Sequence, residues 1–210
     1  MTSDRSSPNI CILDYGSGNV RSVLNMVSSL HPNVSISNDP DIITKSTHII
    51  LPGVGAFGSS MEKIRAKLPI AELRSNVLEQ GKQFLGICVG MQVLFDSGME
   101  FGTHLGLGWL AGEVTQIDSG ELPLPHIGWN GVEHDATHPL FKGIPSGQDF
   151  YFVHSFACRP TNQSDTLAHT EYQHRFVSAV ARKNIMGVQF HPEKSQNAGR
   201  ALIRNFLELQ

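Results

Sequence analysis

The chain has 210 residues, enough for one sizeable core and too few for two full domains. Hydrophobic residues make up 40% and charged residues 17%, a balance that excludes both a disordered chain and a membrane-embedded one. Sixteen Lys and Arg against nineteen Asp and Glu leave a net charge of −3, so no general basic field exists to hold a nucleic-acid backbone.

Residues 1–9 read as a polar N-terminal tail with no apolar core of a secretory signal, and residues 10–210 as one domain. The chain has three cysteines, an odd number that points to reduced thiols in a cytoplasm. The first element, Ile10 to Leu13, is a buried strand; Gly16-Ser17-Gly18 breaks it before a helical pattern from Val20 to Leu30. Val34 to Ser37 and His48 to Leu51 are further strands, the latter ended by Pro52-Gly53-Val54-Gly55. Helical patterns over Met61 to Lys67 and Ile70 to Gln80 lead to a strand from Gln83 to Ile87. Strands alternating with helices predict parallel pairing through crossovers. From Trp109 the pattern changes to short strands, Leu110 to Gln116, Asp149 to Val153, Thr166 to His169, Val177 to Ala181 and Ile185 to Gln189, expected to be antiparallel or mixed strands flanking the parallel core, with a closing helix over Ala198 to Leu209. The expected fold is a single α/β domain: an open, mostly parallel sheet flanked by helices, with additional antiparallel strands.

Two segments carry chemistry. In Gly86-Ile87-Cys88-Val89-Gly90-Met91-Gln92, a cysteine stands at the junction of a buried strand and a helix, between glycines that permit a strained turn. That geometry aims the thiol out of the sheet at a helix N-terminus, where unpaired N–H groups favour thiolate and can hold an oxyanion. In Gln189-Phe190-His191-Pro192-Glu193, a histidine just past a strand end is followed by a proline bend and a carboxylate that can turn back onto the imidazole. A lone buried cysteine is more often a small hydrophobe, and a lone His-Pro-Glu a surface turn. Together they supply a nucleophile, a base and the base's orienter: Cys88, His191 and Glu193. Cys11 and Cys158 are expected to be structural.

These two segments resemble the class I, triad-type glutamine amidotransferases. Taken with Asp14-Tyr15-Gly16-Ser17-Gly18-Asn19, Leu51-Pro52-Gly53-Val54-Gly55-Ala56-Phe57, Pro125-His126-Ile127-Gly128-Trp129-Asn130 and Lys194-Ser195, they are similar to the glutaminase subunits of imidazole glycerol-phosphate synthase within that family. The motifs run in order from about Ile10 to the final helix; Val89 departs from the more usual leucine, at a position whose backbone N–H is what matters. The resemblance implies a flavodoxin-like sheet and hydrolysis of L-glutamine to glutamate and ammonia through a thioester. It further implies a heterodimer with a cyclase subunit of (β/α)8 barrel form, which uses the ammonia on a phosphoribulosyl formimino-carboxamide nucleotide in histidine biosynthesis. By the same resemblance the Val89 N–H is one oxyanion donor, and the Gly53-Val54 peptide turns over to give the second when the partner docks. Gln92 and Glu100 hold the substrate, the latter by its α-ammonium, and the backbone of His154, Ser155 and Phe156 holds its α-carboxylate. Trp129, with His126 in an exposed loop, and Lys194 as a salt-bridge partner are expected at the subunit interface.

Neither metal nor cofactor is expected. The ten histidines show no metal-ligand spacing, Pro139 argues against His134 and His138 sharing a helix, and Arg21 stands where a dinucleotide fingerprint needs its third glycine. Two alternatives stand beside the main reading: a glutaminase serving a different barrel, such as that of pyridoxal-phosphate synthase, and a non-catalytic interaction module on the same fold. The intact set of Cys88, His191 and Glu193 argues against the second.

Overall fold

In the computed structural model, which describes residues 7–210, the apolar run at the start of the domain forms β1 (Ile10–Ile12), buried along its whole length. The α1 helix (Val20–Ser28) places Val20, Val23 and Val27 on one buried stripe, the helical spacing that lays it on the sheet. β2 (Val34–Ile36) is followed by α2 (Pro40–Lys45), a short helix absent from the sequence reading. It starts where Asp39 accepts a hydrogen bond from the Asp41 N–H and Pro40 occupies the first helical position. β3 (His48–Gly53) is wholly buried; α3 (Phe57–Lys67) begins one turn earlier than expected, and α4 (Ile70–Arg74) runs into a wider π turn over Ser75–Glu79. β4 (Gln83–Cys88) ends at the cysteine and α5 (Val89–Gln92) is a single turn.

The second half contains β5 (Phe95–Gly98), β6 (His104–Leu105), β7 (Leu110–Gln116), β8 (His126–His134), β9 (Gln148–His154), β10 (Phe156–Pro160), β11 (Thr166–Tyr172), β12 (His174–Arg182) and β13 (Ile185–Val188). The closing α6 (Gln196–Leu207) buries Leu202, Ile203 and Phe206. The sheet runs β2-β1-β3-β4-β13-β12-β10-β7-β5-β6, with β11, β8 and β9 continuing from β12 as a branch. Pairing is parallel from β2 to β13, and antiparallel through most of the remainder, as expected. β5, β6, β8 and β10 were not legible in the sequence. In β8 the glycines Gly128 and Gly131 interrupt the alternation by which a half-buried strand is recognised, so the segment read as a loop is a nine-residue strand.

Two consequences matter for function. The loops after β1, β3, β4 and β13 all leave from the same carboxyl edge of the parallel sheet, the edge where open α/β sheets place their sites. Of the segment read as a tail, Asn9 is already fixed, its N–H bonded to Thr47 Oγ1 at 2.9 Å and its carbonyl accepting from the N–H of Thr47 and His48; residues 1–6 lie outside the described residues.

Candidate active site

Cys88 adopts φ 55° and ψ −114°, a left-handed conformation that a residue with a side chain rarely occupies and that marks stored strain at a functional turn. The glycines around it are required by space. A Cβ on Gly90 would lie 1.8 Å from the Leu51 carbonyl oxygen, and one on Gly86 would lie 2.3 Å from that of Gly90, so the backbone of the elbow is pressed against both its own strand and β3. The helix that follows, α5, is only one turn long, so what it offers beside the sulfur is the unpaired N–H groups of a first turn and little helix dipole.

Register decides what flanks the cysteine. β3 pairs with β4 so that Gly53 stands opposite Cys88, and β13 pairs on the other side with Val188 opposite Ile87, which brings Gln189 level with Cys88. Two residues further, the turn at Pro192 carries His191 and Glu193 together. Imidazole Nδ1 and Glu193 Oε1 are 2.9 Å apart with both side chains 1% exposed. The turn is held by Ser195, whose Oγ donates to the His191 carbonyl at 2.6 Å and accepts from the Tyr151 N–H at 3.0 Å, while the His191 N–H donates to the Tyr151 carbonyl at 2.8 Å. With Nδ1 committed to the carboxylate, Nε2 is the nitrogen left for the sulfur, and it is buried. Burial pushes the imidazole down, but the Cys88 thiol and the Glu193 carboxylate push it up by more, leaving it raised to about 10. The ring is therefore protonated beside the Cys88 sulfur.

The remaining predicted residues distribute as follows. Gln92 is 3% exposed; its Nε2 donates to the Phe156 carbonyl at 2.9 Å and to Gln189 Oε1 at 3.0 Å. Glu100 accepts through Oε2 from the Phe57 N–H at 2.9 Å, capping the helix that follows the Gly53-Val54-Gly55 segment, so one of its oxygens is engaged in the fold. Val54, in the middle of that segment, is 39% exposed. His154 and Phe156 are bonded to each other, Nδ1 to carbonyl at 2.9 Å, and the Ser155 carbonyl accepts from the Ile117 N–H at 2.9 Å.

At the expected interface two corrections arise. Trp129 is half-exposed, but on strand β8 rather than a loop, with its ring edge-on to Tyr151. His126 is 3% exposed and cannot present its ring to a partner, because it points to the other face of β8 and bonds His154. Lys194 lies with Nζ 5.3 Å from the centre of the Tyr151 ring, and among the described residues it has no carboxylate partner.

Sequence reasoning missed three contributors. Asn19 Nδ2 donates to Glu193 Oε1 at 3.3 Å, Gln189 Nε2 donates to Cys88 Sγ at 3.6 Å, and the buried Tyr15 hydroxyl stands where a Cβ on Gly53 would collide with it, at 2.6 Å. All three lie inside quoted motifs; what the motifs withhold is that these loops converge. Cys11 and Cys158 are buried thiols pushed up by burial, as expected of structural cysteines, and among the described residues no cluster of three metal-ligating side chains occurs.

The model of the family described as glutamine amidotransferase class-I matches residues 11–209. The chain belongs to the class-I glutamine amidotransferases. Within them it is 44% identical to imidazole glycerol phosphate synthase subunit HisH of Zymomonas mobilis, covering 98% of each chain, and 44% identical to the same-named subunit of Moorella thermoacetica over 95% of this chain and 94% of that one. The PurLQS structure from Thermotoga maritima superposes with a TM-score of 0.75 at 19% identity over 96% of this chain and 98% of that one. A crystal structure of a glutamine amidotransferase gives 0.73 at 18% over 95% and 97%, and at such identities the likeness is one of fold. For this amidotransferase the architecture expected from sequence thus holds, and no helix among the described residues is long and apolar enough to cross a membrane.

Proposed function

We propose that this amidotransferase chain is the glutaminase subunit of a cytoplasmic imidazole glycerol phosphate synthase, hydrolysing L-glutamine and passing ammonia to a cyclase subunit of barrel form in histidine biosynthesis. The observation that carries the chemistry is the strained Cys88 elbow, set between Gly53 and Gln189 and faced by a buried His191–Glu193 pair.

Cys88 Sγ gives its proton to His191 Nε2 and attacks the side-chain amide carbon of glutamine. The oxyanion that forms is held by the Val89 N–H and by the Gly53-Val54 peptide once it turns its N–H inward, a rotation made easier by Gly53 and by Gly55, which has open space around it and φ 96°. His191 gives its proton from Nε2 to the departing ammonia, leaving a thioester, then draws a proton from water as it attacks, releasing glutamate and restoring the thiol. Glu193 holds the imidazole through Nδ1 and Asn19 steadies Glu193. Gln92 and Glu100 orient the amino acid, and its α-carboxylate meets the backbone of His154, Ser155 and Phe156. The half-exposed Trp129, with Lys194 over Tyr151, forms the docking face. The test is glutamate release by the chain alone and mixed with a cyclase subunit and its nucleotide ligand, with Cys88→Ala as control. Release is expected to depend on Cys88 and to rise steeply with the partner; release that survives the substitution overturns the mechanism, and equal turnover with and without the partner overturns the partner-triggered peptide turn.

A further inference from the structure

The buried polar groups behind the nucleophile form one connected set, and their chemistry fixes every proton in it. The Phe156 carbonyl can only accept, so His154 Nδ1, 2.9 Å away, carries a hydrogen, and so does the Gln92 amide nitrogen that also reaches this oxygen. Burial pushes His154 down to about 3 and His126 down to about 4, so both rings are neutral. His154 Nε2 is then a bare acceptor, and His126 Nδ1, 3.1 Å from it, is the donor. His126 Nε2 in turn accepts from Asn130 Nδ2 at 3.3 Å, whose other hydrogen goes to the Glu171 carbonyl at 2.8 Å.

On the other side of the Phe156 carbonyl the same logic runs toward the sulfur. Gln92 must present its amide nitrogen to Phe156, and the same nitrogen donates to Gln189 at 3.0 Å, so Gln189 must present its oxygen there. Gln189 is thereby left with its NH2 group facing Cys88 Sγ at 3.6 Å. A glutamine amide is ordinarily free to flip, since its two ends differ little in shape. Here the flip is forbidden by a backbone carbonyl two side chains away. Gln189 and Gln92 are almost wholly buried, which removes the water that would otherwise blur these preferences.

We infer that Gln189 is a further catalytic residue, a hydrogen-bond donor that stabilises the Cys88 thiolate, and that Gln92, Phe156 and the His154–His126 pair are positioning groups that lock its amide in the donating orientation. The inference rests on the reading of Cys88 as nucleophile. A donor aimed at sulfur favours the anionic, attacking form and loses its advantage once the sulfur is acylated, so it acts on the resting nucleophile. The other titratable groups within electrostatic reach of the sulfur are His191 from the β13 turn, Tyr15 from the first loop and Cys158 on β10, none of which the tests below alter.

The experiment is the rate of Cys88 alkylation by iodoacetamide in the isolated chain as a function of pH, with the modified cysteine located by peptide mass mapping and folding checked by near-ultraviolet circular dichroism. Gln189→Met keeps the shape and removes the donor; alkylation near pH 7 is expected to slow roughly tenfold, the size of one hydrogen bond to a charged group, with the inflection moving to higher pH. Gln92→Met leaves Gln189 in place but frees its amide to flip, and a smaller slowing in the same direction is expected. In the complex with the cyclase, Gln189→Met lowers kcat with little change in KM. If either folded variant alkylates at the wild-type rate across the pH range, the inference falls, even if the variant is less stable; should one fail to fold, the other decides. If Cys88 of the wild-type chain is unreactive at all pH values, it is the nucleophile reading that fails instead.

Discussion

The ends of β4 and β13 lie side by side at one edge of the sheet, yet they are built by opposite means. At the end of β4 the chain delivers the proposed nucleophile through backbone: a left-handed Cys88 and glycines packed so closely that no Cβ fits, with side chains contributing little to the shape. At the end of β13 no residue from Gln189 to Ser195 has a positive φ, and side chains do the positioning, with Ser195 bracing the turn, Glu193 holding His191 and Asn19 holding Glu193. The difference follows from what each group must do. A nucleophile needs one fixed direction and N–H groups around it, which only main chain supplies. A base must hold and release a proton with its tautomer controlled, which needs a neighbouring carboxylate.

Substitutions on the two sides should therefore fail differently. Cys88→Ala removes the covalent route and is expected to cost at least about 10⁴-fold in glutamate release with folding unchanged. Glu193→Gln leaves the imidazole in place but lets it take the wrong tautomer, and kcat in the cyclase complex should drop by roughly 10² to 10⁴-fold. Asn19→Ala, one bond further out, should cost much less; a loss as large as that of Glu193→Gln would mean that Asn19 touches the reaction directly.

Gly90→Ala tests the backbone side. Its methyl has to displace the Leu51 carbonyl, so a stability loss of about 3 kcal/mol or more in urea unfolding is expected, and wild-type stability would show that the elbow is not close-packed.

Acid should loosen the two halves to different degrees. His48 in the parallel half is lowered to about 4, and in the antiparallel half His126 and His154 are lowered to about 4 and about 3. Below an ordinary histidine value near 6.5 the unfolded chain takes up protons that these buried rings do not. The contribution of these rings is therefore full above that pH and falls as pH drops toward the folded values, by up to about 1.4 kcal/mol per pH unit for each ring. Urea midpoints measured from pH 7 to pH 4.5 should show this slope, and His48→Leu should make it shallower; a slope that His48→Leu leaves unchanged would place the proton uptake elsewhere.

The smallest effect on folding belongs to Trp129→Ala. A half-exposed ring at the edge of Tyr151 should cost within about 1 kcal/mol of stability. Stimulation by the cyclase should fall by far more than that, and unchanged stimulation would remove Trp129 from the docking face.

Much of the site was legible because its chemistry is local. Cys88 announces itself by the glycines on either side, and Glu193 by standing two residues past His191 across a proline. The parallel half was legible for a similar reason, since buried strands and amphipathic helices each carry their own period. β8 hid because its glycines break that period. His126 was misplaced with it, since a residue in a loop has no assigned face and one in a strand does: its ring turns inward to His154 while Trp129 remains accessible.

What the sequence determined by itself is the set of groups proposed to react and the class of fold that carries them. Only the tertiary structure decided who stands next to whom. That β4 lies between β3 and β13, with Gly53 opposite Cys88 and Gln189 beside it, depends on pairings between segments far apart in the chain, Gln189 and Cys88 being separated by 101 positions. Alternation along a strand tells which face a side chain takes, never which strand lies beside it. Neighbours are chosen by burial of the whole sheet against its helices, a sum over many residues that no motif records.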